Sequence, residues 1–270
     1  MINRNYIYNV FREHLSFLIF AFILVALFQI LMVTLVVEAD ILNIAQIFFS
    51  KFPPQVQQFL GEEFIAQFSV NGAVAFGYNH LIVLIFLTII AIMLPAKHIA
   101  GEIESGTLEL ICSLPIKRLN LTFSLWIVTA FVLIIVVIGG WLGTIIGMLI
   151  YQQISNFPST QLFQIGFNLW LLMLTINSYT FLISSYSREG NRVTLRAAGI
   201  TLFFFFLNYT AKLWIDVSFL KHFTIFNYYQ PQTLMLGQPI FVKNIVVLSL
   251  LMLVFLIIAF RKFNLRDIPG

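Results

Sequence analysis

Six long runs of apolar residues, separated by shorter polar segments, dominate the hydropathy pattern of the chain. A helix that crosses a membrane needs about 20 apolar residues, because the hydrocarbon core is roughly 30 Å thick. The runs lie at residues 15–37, 80–97, 121–151, 165–186, 197–214 and 245–260. The pattern predicts an all-α polytopic membrane protein, with six transmembrane helices in a single domain over residues 1–270.

Amphipathic segments precede the first run and interrupt the first loop. Between Asn5 and Leu15, apolar and polar residues recur at helical spacing, which predicts an interfacial helix over residues 1–16 on the cytoplasmic side. Residues 38–79 form a long external loop, in which an apolar stripe after Pro53 and Pro54 predicts a short amphipathic helix on the outer surface. A membrane-associated loop with no specific role is the alternative for these residues.

The second external loop, residues 215–242, is rich in Phe and Tyr. Such a segment can be re-entrant, because irregular backbone is tolerated within the membrane where protein or a wet cavity covers it. It can equally form an aromatic belt at the membrane interface. The sequence is compatible with both interpretations.

The polar segment between the second and third runs has the pattern of an amphipathic helix. Its apolar residues recur on one face and its acids and serines on another, which predicts one continuous helix from Ile99 to Leu114. Pro115 ends this helix, because the residue before a proline is disfavoured in helical geometry. Lys117 and Arg118 then reach the lipid headgroups. A plain charged connector is the alternative.

Composition and charge support a membrane protein and give its orientation. The chain is 60% hydrophobic and 10% charged, whereas soluble domains are roughly 45–50% apolar and about 25% charged. Six spans place both termini on one side, and that side carries eleven of the fifteen Lys and Arg residues. Cytoplasmic loops are enriched in Lys and Arg. Both termini are therefore predicted to be cytoplasmic, in the cytoplasmic (inner) membrane of a bacterial-type cell.

Several kinds of site are not predicted. A single cysteine, Cys112, excludes a disulfide framework and a Cys-rich metal site. The four histidines, His14, His80, His98 and His222, are scattered over both predicted membrane faces, so no metal ligand set is expected. The chain has no G-x-x-x-x-G-K-[ST] phosphate-binding loop, and no basic cluster typical of nucleic-acid binding. ATP binding by this chain and a nucleic-acid partner are therefore not expected.

Small and polar residues within the runs suggest packing or transport roles. Gly139, Gly143 and Gly147 follow G-x-x-x-G spacing, which favours close helix packing over a direct contact with substrate. Uncharged polar residues are explained equally well by interhelical hydrogen bonds and by a hydrophilic translocation pathway. The candidates for such a lining are Gln29, Thr34, Asn177, Thr180 and Asn208.

The segment between the second and third runs resembles a known motif. Residues 102–118 follow E-x-x-x-G-T-L-E-L-x-x-x-L-P-x-x-R, which is similar to the corresponding segment in ATP-binding-cassette (ABC) exporter permeases of the second type. The tail, residues 260–268, resembles the ending of the same family. The long first external loop is similar to the subgroup of bacteriocin-export and copper-site-maturation permeases.

The resemblance implies a coupling helix over residues 99–118 that docks on a separate ATPase. The implied coupling residues are Glu102, Gly106, Thr107, Glu109, Pro115 and Arg118. The resemblance further implies two nucleotide-binding subunits, which bind ATP and Mg²⁺, whereas this chain needs no cofactor. A second copy of this chain, or a related permease, would complete the assembly in the lipid bilayer.

The prediction from the sequence is the permease subunit of an ATP-driven exporter, which is not itself an enzyme. ATP hydrolysis on the partner would drive substrate translocation or mechanical work. An ATP-independent carrier or channel is one alternative, but the runs have no acidic or basic residue at mid-membrane depth to couple an ion. An intramembrane enzyme is another, but Glu62 and Glu63 lack a following arginine at helical spacing and no G-x-S-x-G motif occurs.

Overall fold

The computed structural model describes residues 4–53, 68–108 and 118–266, and within these ranges all regular structure is helical. Within these described ranges, six helical stretches are long and apolar enough to cross a membrane, in agreement with the six predicted spans. They are Ile7–Glu38, Val70–Glu104, Arg118–Ile150, Ser159–Tyr186, Gly190–Leu213 and Phe241–Leu265.

The α-helices are numbered in chain order. They are α1 Arg4–Glu38, α2 Ile41–Ser50, α3 Val70–Asn79, α4 Leu81–Pro95, α5 Arg118–Ile150, α6 Ser159–Tyr186, α7 Gly190–Leu213, α8 Pro231–Met235 and α9 Phe241–Leu265. A π-helical turn, Ala96–Gly101, and a short α-helical turn, Glu102–Glu104, extend α4. Short 3-10 segments cover Ile154–Asn156, Ile215–Phe223 and Ile225–Tyr228.

Helix α6 lies at the centre of the bundle. The most apolar 18-residue stretch of α6 is 83% buried, whereas that of α1, α7 or α9 is 22% buried. The helices α4, α5, α7 and α9 pack around α6. The central position explains how the most polar span is accommodated, because its polar side chains find partners within the protein rather than in lipid. For example, Asn168 Nδ2 donates to the Tyr228 carbonyl at 3.0 Å.

Helix α1 packs along α5 at the three glycines of the G-x-x-x-G pattern. A Cβ atom on Gly143 would lie 2.1 Å from the Ala26 carbonyl oxygen, and one on Gly139 would lie 2.9 Å from the Phe22 carbonyl oxygen. At Gly147 the nearest atom would be Cβ of Val33, at 3.1 Å. The backbones approach closely because these positions carry no side chain.

Helix α1 differs from its prediction. It runs without interruption from Arg4 to Glu38, so the predicted interfacial helix over residues 1–16 is not a separate element in the described residues. At about 1.5 Å per residue, a helix of this length extends well beyond a hydrocarbon core of roughly 30 Å. The apolar positions before Leu15 therefore continue the helix of the first span.

The second span also begins earlier than predicted. Helix α3 lies within the predicted loop 38–79, and Val74, Ala75 and Tyr78 on it are fully buried. The backbone becomes extended at His80, whose ψ is 141°, and α4 follows. Hydropathy placed the boundary late because α3 contains glycines and asparagines, which suit a buried helix as well as a loop. The stripe predicted after Pro54 lies, apart from Phe68, outside the described residues.

The aromatic segment after α7 divides into two halves. Phe219 and Phe223 are exposed, whereas Phe226 and Tyr229 are buried among the helices. The Tyr229 hydroxyl donates to the Tyr78 carbonyl of α3 at 2.9 Å. The second half therefore packs into the bundle beside α3.

Candidate functional site

The end of α4 is held to α6 on both sides of a proline. Pro95 has no N–H, so the carbonyl of Ala91 loses its usual helical donor. Asn177 Nδ2 donates to that carbonyl at 2.9 Å, and Ser184 Oγ donates to the Pro95 carbonyl at 3.1 Å. The π-helical turn begins at the next residue. Asn177 thus replaces the helical donor that the proline removes, and Ser184 adds a second hydrogen bond between the central helix and the end of α4.

The predicted continuous helix from Ile99 to Leu114 is wrong in its described part. The helical turn ends at Glu104, Gly106 adopts a φ of 74°, and helical geometry resumes at Thr107 and Leu108. This left-handed conformation is accessible to glycine at little cost. The Thr107 hydroxyl donates to the Glu102 carbonyl at 3.3 Å and stabilises the turn. The structure therefore interrupts the predicted helix with a turn at Ser105 and Gly106.

The predicted coupling residues have different positions in this turn. Gly106 and Thr107 are exposed, whereas the following Leu108 is fully buried. Glu102 is partly buried, and its Oε1 lies 3.1 Å from Nδ1 of His98. Glu109 and Pro115 lie outside the described residues. The described part of the motif therefore presents a small exposed turn fixed at both ends.

The turn is also attached to α7 through residues that the sequence did not single out. Glu104 Oε2 accepts a hydrogen bond from the Gly190 backbone N–H at 2.9 Å, at the start of α7. A carboxylate at this end of a helix is favoured by the helix dipole. A Cβ atom on Gly190 would lie 3.2 Å from the Ala96 carbonyl oxygen, so the two backbones are in close contact. Movement of the turn would therefore be transmitted to α7.

Arg118 and Arg266 join three helix ends. Arg118 Nη1 donates to the Arg266 carbonyl. The Arg266 guanidinium in turn donates to the carbonyls of Ser185 and Ser187 at 3.1 and 2.8 Å, at the end of α6. A guanidinium at the carboxyl end of a helix satisfies carbonyls that lack helical donors. The start of α5, the end of α6 and the end of α9 are thus linked.

The structure does not bring the five predicted lining residues into one cavity. Gln29 is buried against Gly77 of α3. The hydroxyls of Thr34 and Thr180 donate to carbonyls of their own helices, and Asn177 holds α4 as described above. In the part of the chain that the structure describes, only Asn208 of these five residues lines a cavity.

Two adjoining cavities form a cleft between α4 and α7. An apolar cavity of about 530 Å³ is lined by both helices, and a more polar cavity of about 270 Å³ adjoins it. They share Leu84, Phe205 and Phe226. The polar side chains of the smaller cavity are Asn79, Asn208, Tyr209, Lys212, Tyr229 and Gln232. We call these two cavities the α4–α7 cleft.

The sequence as a whole matches a known family. The family model described as ABC-2 family transporter protein matches residues 11–268, which is nearly the entire chain. The chain belongs to the ABC-2 transporter family. No curated protein and no solved structure matches this ABC-2 protein at a significant level.

Membership in this family gives the six helices their role. The protein is a multi-pass membrane protein and the permease component of an ABC transporter. Within the family its role is that of a transport component rather than of a catalytic enzyme. ABC-2 permeases generally act with a nucleotide-binding ATPase subunit.

Proposed function

We propose that this ABC-2 permease couples ATP hydrolysis by a separate nucleotide-binding subunit to export of a substrate. The exposed turn at Gly106 carries the proposal. It interrupts the polar segment that connects two long apolar helices. It is anchored to α7 through Glu104, while Glu102 pairs with His98 of the preceding π-turn. An exposed, well-anchored turn is suited to receive a partner and to transmit its movement.

The anchors define how a push on the turn would reach the membrane helices. Glu104 connects the turn to the start of α7. The π-turn before it is continuous with α4, which α6 holds through Asn177 and Ser184. Closure of the ATPase would thus push on the start of α7 through Glu104, while Asn177 and Ser184 hold α4 on the central helix. Helices α4 and α7 also form the α4–α7 cleft.

The cleft is the proposed substrate pathway. Its larger part is lined almost entirely by apolar side chains, and its smaller part carries Asn208 and Lys212. An amphipathic molecule matches this division, with its apolar part against α4 and its polar part at Asn208. Such a substrate would enter from the inner leaflet or the cytoplasm. The export direction is inferred from the resemblance of the motif between the second and third spans. The relation to the bacteriocin-export and copper-site-maturation permeases is inferred from the resemblance of the first external loop.

The proposed assembly has two permeases and two ATPase subunits. Six spans are half of the number in a typical ABC permease assembly, so a second copy or a related chain would supply the other half. ATP and Mg²⁺ would bind the ATPase subunits. The excess of Lys and Arg on one side supports cytoplasmic termini and a cytoplasmic position for Gly106 in a bacterial-type inner membrane.

The proposal is tested by Gly106→Trp, with Gly237→Trp as a matched control. Both glycines have a φ near 75° and open space around the position of a Cβ atom, so the two substitutions impose similar backbone strain. Gly106→Trp should abolish co-purification of the ATPase, or its transport-coupled ATP turnover. Gly237→Trp lies in the predicted external loop and should preserve both.

The comparison separates docking from stability. Thermal unfolding of both variants in detergent should show similar losses, because the strain is similar. If Gly106→Trp retains the ATPase and transports normally, the turn is not the coupling site.

A further inference from the structure

Two histidines that are 84 residues apart meet at the junction of α1 and the π-turn. Nε2 of His14 lies 3.0 Å from Nε2 of His98, and both residues are more than nine-tenths buried. The sequence predicts no metal ligand set among the four histidines, but the structure brings these two together. The hydropathy pattern did not show which helices are neighbours, so it gave no indication of the contact.

A carboxylate completes a group of three donor atoms. Oε2 of Glu13 lies 3.8 Å from Nε2 of His98, and the donor atoms of Glu13, His14 and His98 are all within 4.8 Å of one another. Lys97 pairs with the other oxygen of Glu13, Oε1. This ion pair holds the carboxylate with Oε2 directed to the histidines.

The orientation of His98 is fixed from its other side. Glu102 Oε1 lies 3.1 Å from Nδ1 of His98. A carboxylate at this distance favours the proton on Nδ1, which leaves the lone pair of Nε2 directed towards His14 and Glu13. Carboxylate–histidine pairs of this kind orient the histidine ligands of metal sites and raise their basicity.

The donor types, and the spacing of the two histidines, suit a divalent cation of the zinc class. Imidazole nitrogen and carboxylate oxygen are typical Zn²⁺ ligands, with bonds of about 2.0–2.2 Å. Two ligands on a tetrahedral ion with such bonds are separated by about 3.3 Å. The 3.0 Å between the two Nε2 atoms is close to this separation. Three protein ligands also leave the fourth position for water.

We propose that Glu13, His14 and His98 bind a divalent transition-metal cation, with Glu102 as the residue that positions His98. The ion would join the first helix to the turn that leads to Gly106. It would thus fix the part of the molecule through which the ATPase is proposed to act. This regulatory consequence rests on the proposed function, whereas the binding site itself does not.

The test uses the full chain in detergent, purified without a polyhistidine tag and treated with a chelator. Titration with Zn²⁺ alone should show one equivalent bound per chain by calorimetry. Co²⁺ should give the visible absorption of a tetrahedral complex. His14→Ala and His98→Ala should each weaken Zn²⁺ binding at least 100-fold, and Glu102→Gln should weaken it about 10- to 100-fold.

His80→Ala and His222→Ala are matched controls, because these two histidines lie outside the cluster. They should bind Zn²⁺ like the unmodified protein. A variant that fails to fold is replaced by His14→Gln or His98→Gln, and Zn²⁺ should raise the Tm of the unmodified protein but not of either variant.

Absence of stoichiometric Zn²⁺ binding by the unmodified chain would overturn the proposal. So would equal losses in the His80→Ala and His14→Ala variants. In either case the two rings form only a hydrogen bond. Gly106→Trp should still bind Zn²⁺, so failure of the metal site and failure of the coupling proposal are distinguishable.

Discussion

At the scale of single residues, the contact between Asn177 and Ala91 shows how a polar side chain can serve structure in a membrane. Pro95 removes the helical donor of the Ala91 carbonyl, and Asn177 replaces it. The polarity of α6 is explained here by the need to satisfy a neighbouring helix. A hydrophilic translocation lining is not required for this residue.

Asn177→Leu should therefore destabilise the protein by about 1–2 kcal/mol, because the Ala91 carbonyl is left without a donor in the bundle. Thr180→Val should cost less, since the Thr180 hydroxyl bonds the Ile176 carbonyl of its own helix. Unfolding of the purified protein in mixed micelles with increasing denaturant measures both changes.

The double variant gives the stricter comparison. In a Pro95→Ala background the backbone N–H of residue 95 can donate to Ala91, so Asn177→Leu should cost less than it does alone. Equal costs in the two backgrounds would contradict the account of this contact.

At the scale of helices, the contact between α1 and α5 depends on side-chain size. The Gly143 Cβ position is occupied by the Ala26 backbone, whereas nothing lies within 4 Å of the Cβ position of Gly199 on α7. Gly143 thus determines how closely the two backbones approach.

Gly143→Ala should force α1 and α5 apart and destabilise the protein by about 2–3 kcal/mol or more. Gly199→Ala should be neutral or slightly stabilising, because alanine is the better helix former. Thermal unfolding in detergent measures the difference between the two variants. Equal melting temperatures would show that the helices are not in close contact in the folded protein.

The sequence predicts apolar spans well and contacts between them poorly. Hydropathy gives six spans because the bilayer requires them. It does not show that His14 meets His98 or that Glu104 meets Gly190, because such pairs depend on the arrangement of the helices. The turn at Gly106 did have a local signal, since a glycine that follows a helical run commonly ends the helix. The amphipathic pattern continues past Gly106, however, and it therefore predicted a helix without a break at this glycine.

At the scale of the whole molecule, the lateral surface of α7 is strongly apolar. Leu195, Phe203 and Phe206 on this helix are exposed. A surface of this kind suits lipid or a second permease, and it lies beside the α4–α7 cleft. The proposed orientation places the start of α7 and the turn at Gly106 on the cytoplasmic side.

Single cysteines in a Cys112→Ser background test this orientation. Arg192→Cys and Lys51→Cys lie on opposite predicted sides, and both positions are exposed. A membrane-impermeant maleimide should label Lys51→Cys in intact spheroplasts and Arg192→Cys only after permeabilisation. The reverse pattern would invert the topology and place Gly106 outside the cell.

Site-specific photo-cross-linking from Thr107 tests the central claim most directly. Thr107 is exposed beside Gly106, and Gln238, exposed beside Gly237, provides the control position. A photoreactive residue at position 107, but not one at 238, should cross-link to a nucleotide-binding ATPase in native membranes. If position 107 captures no ATPase while the chain is folded and inserted, the turn does not couple this permease to ATP hydrolysis.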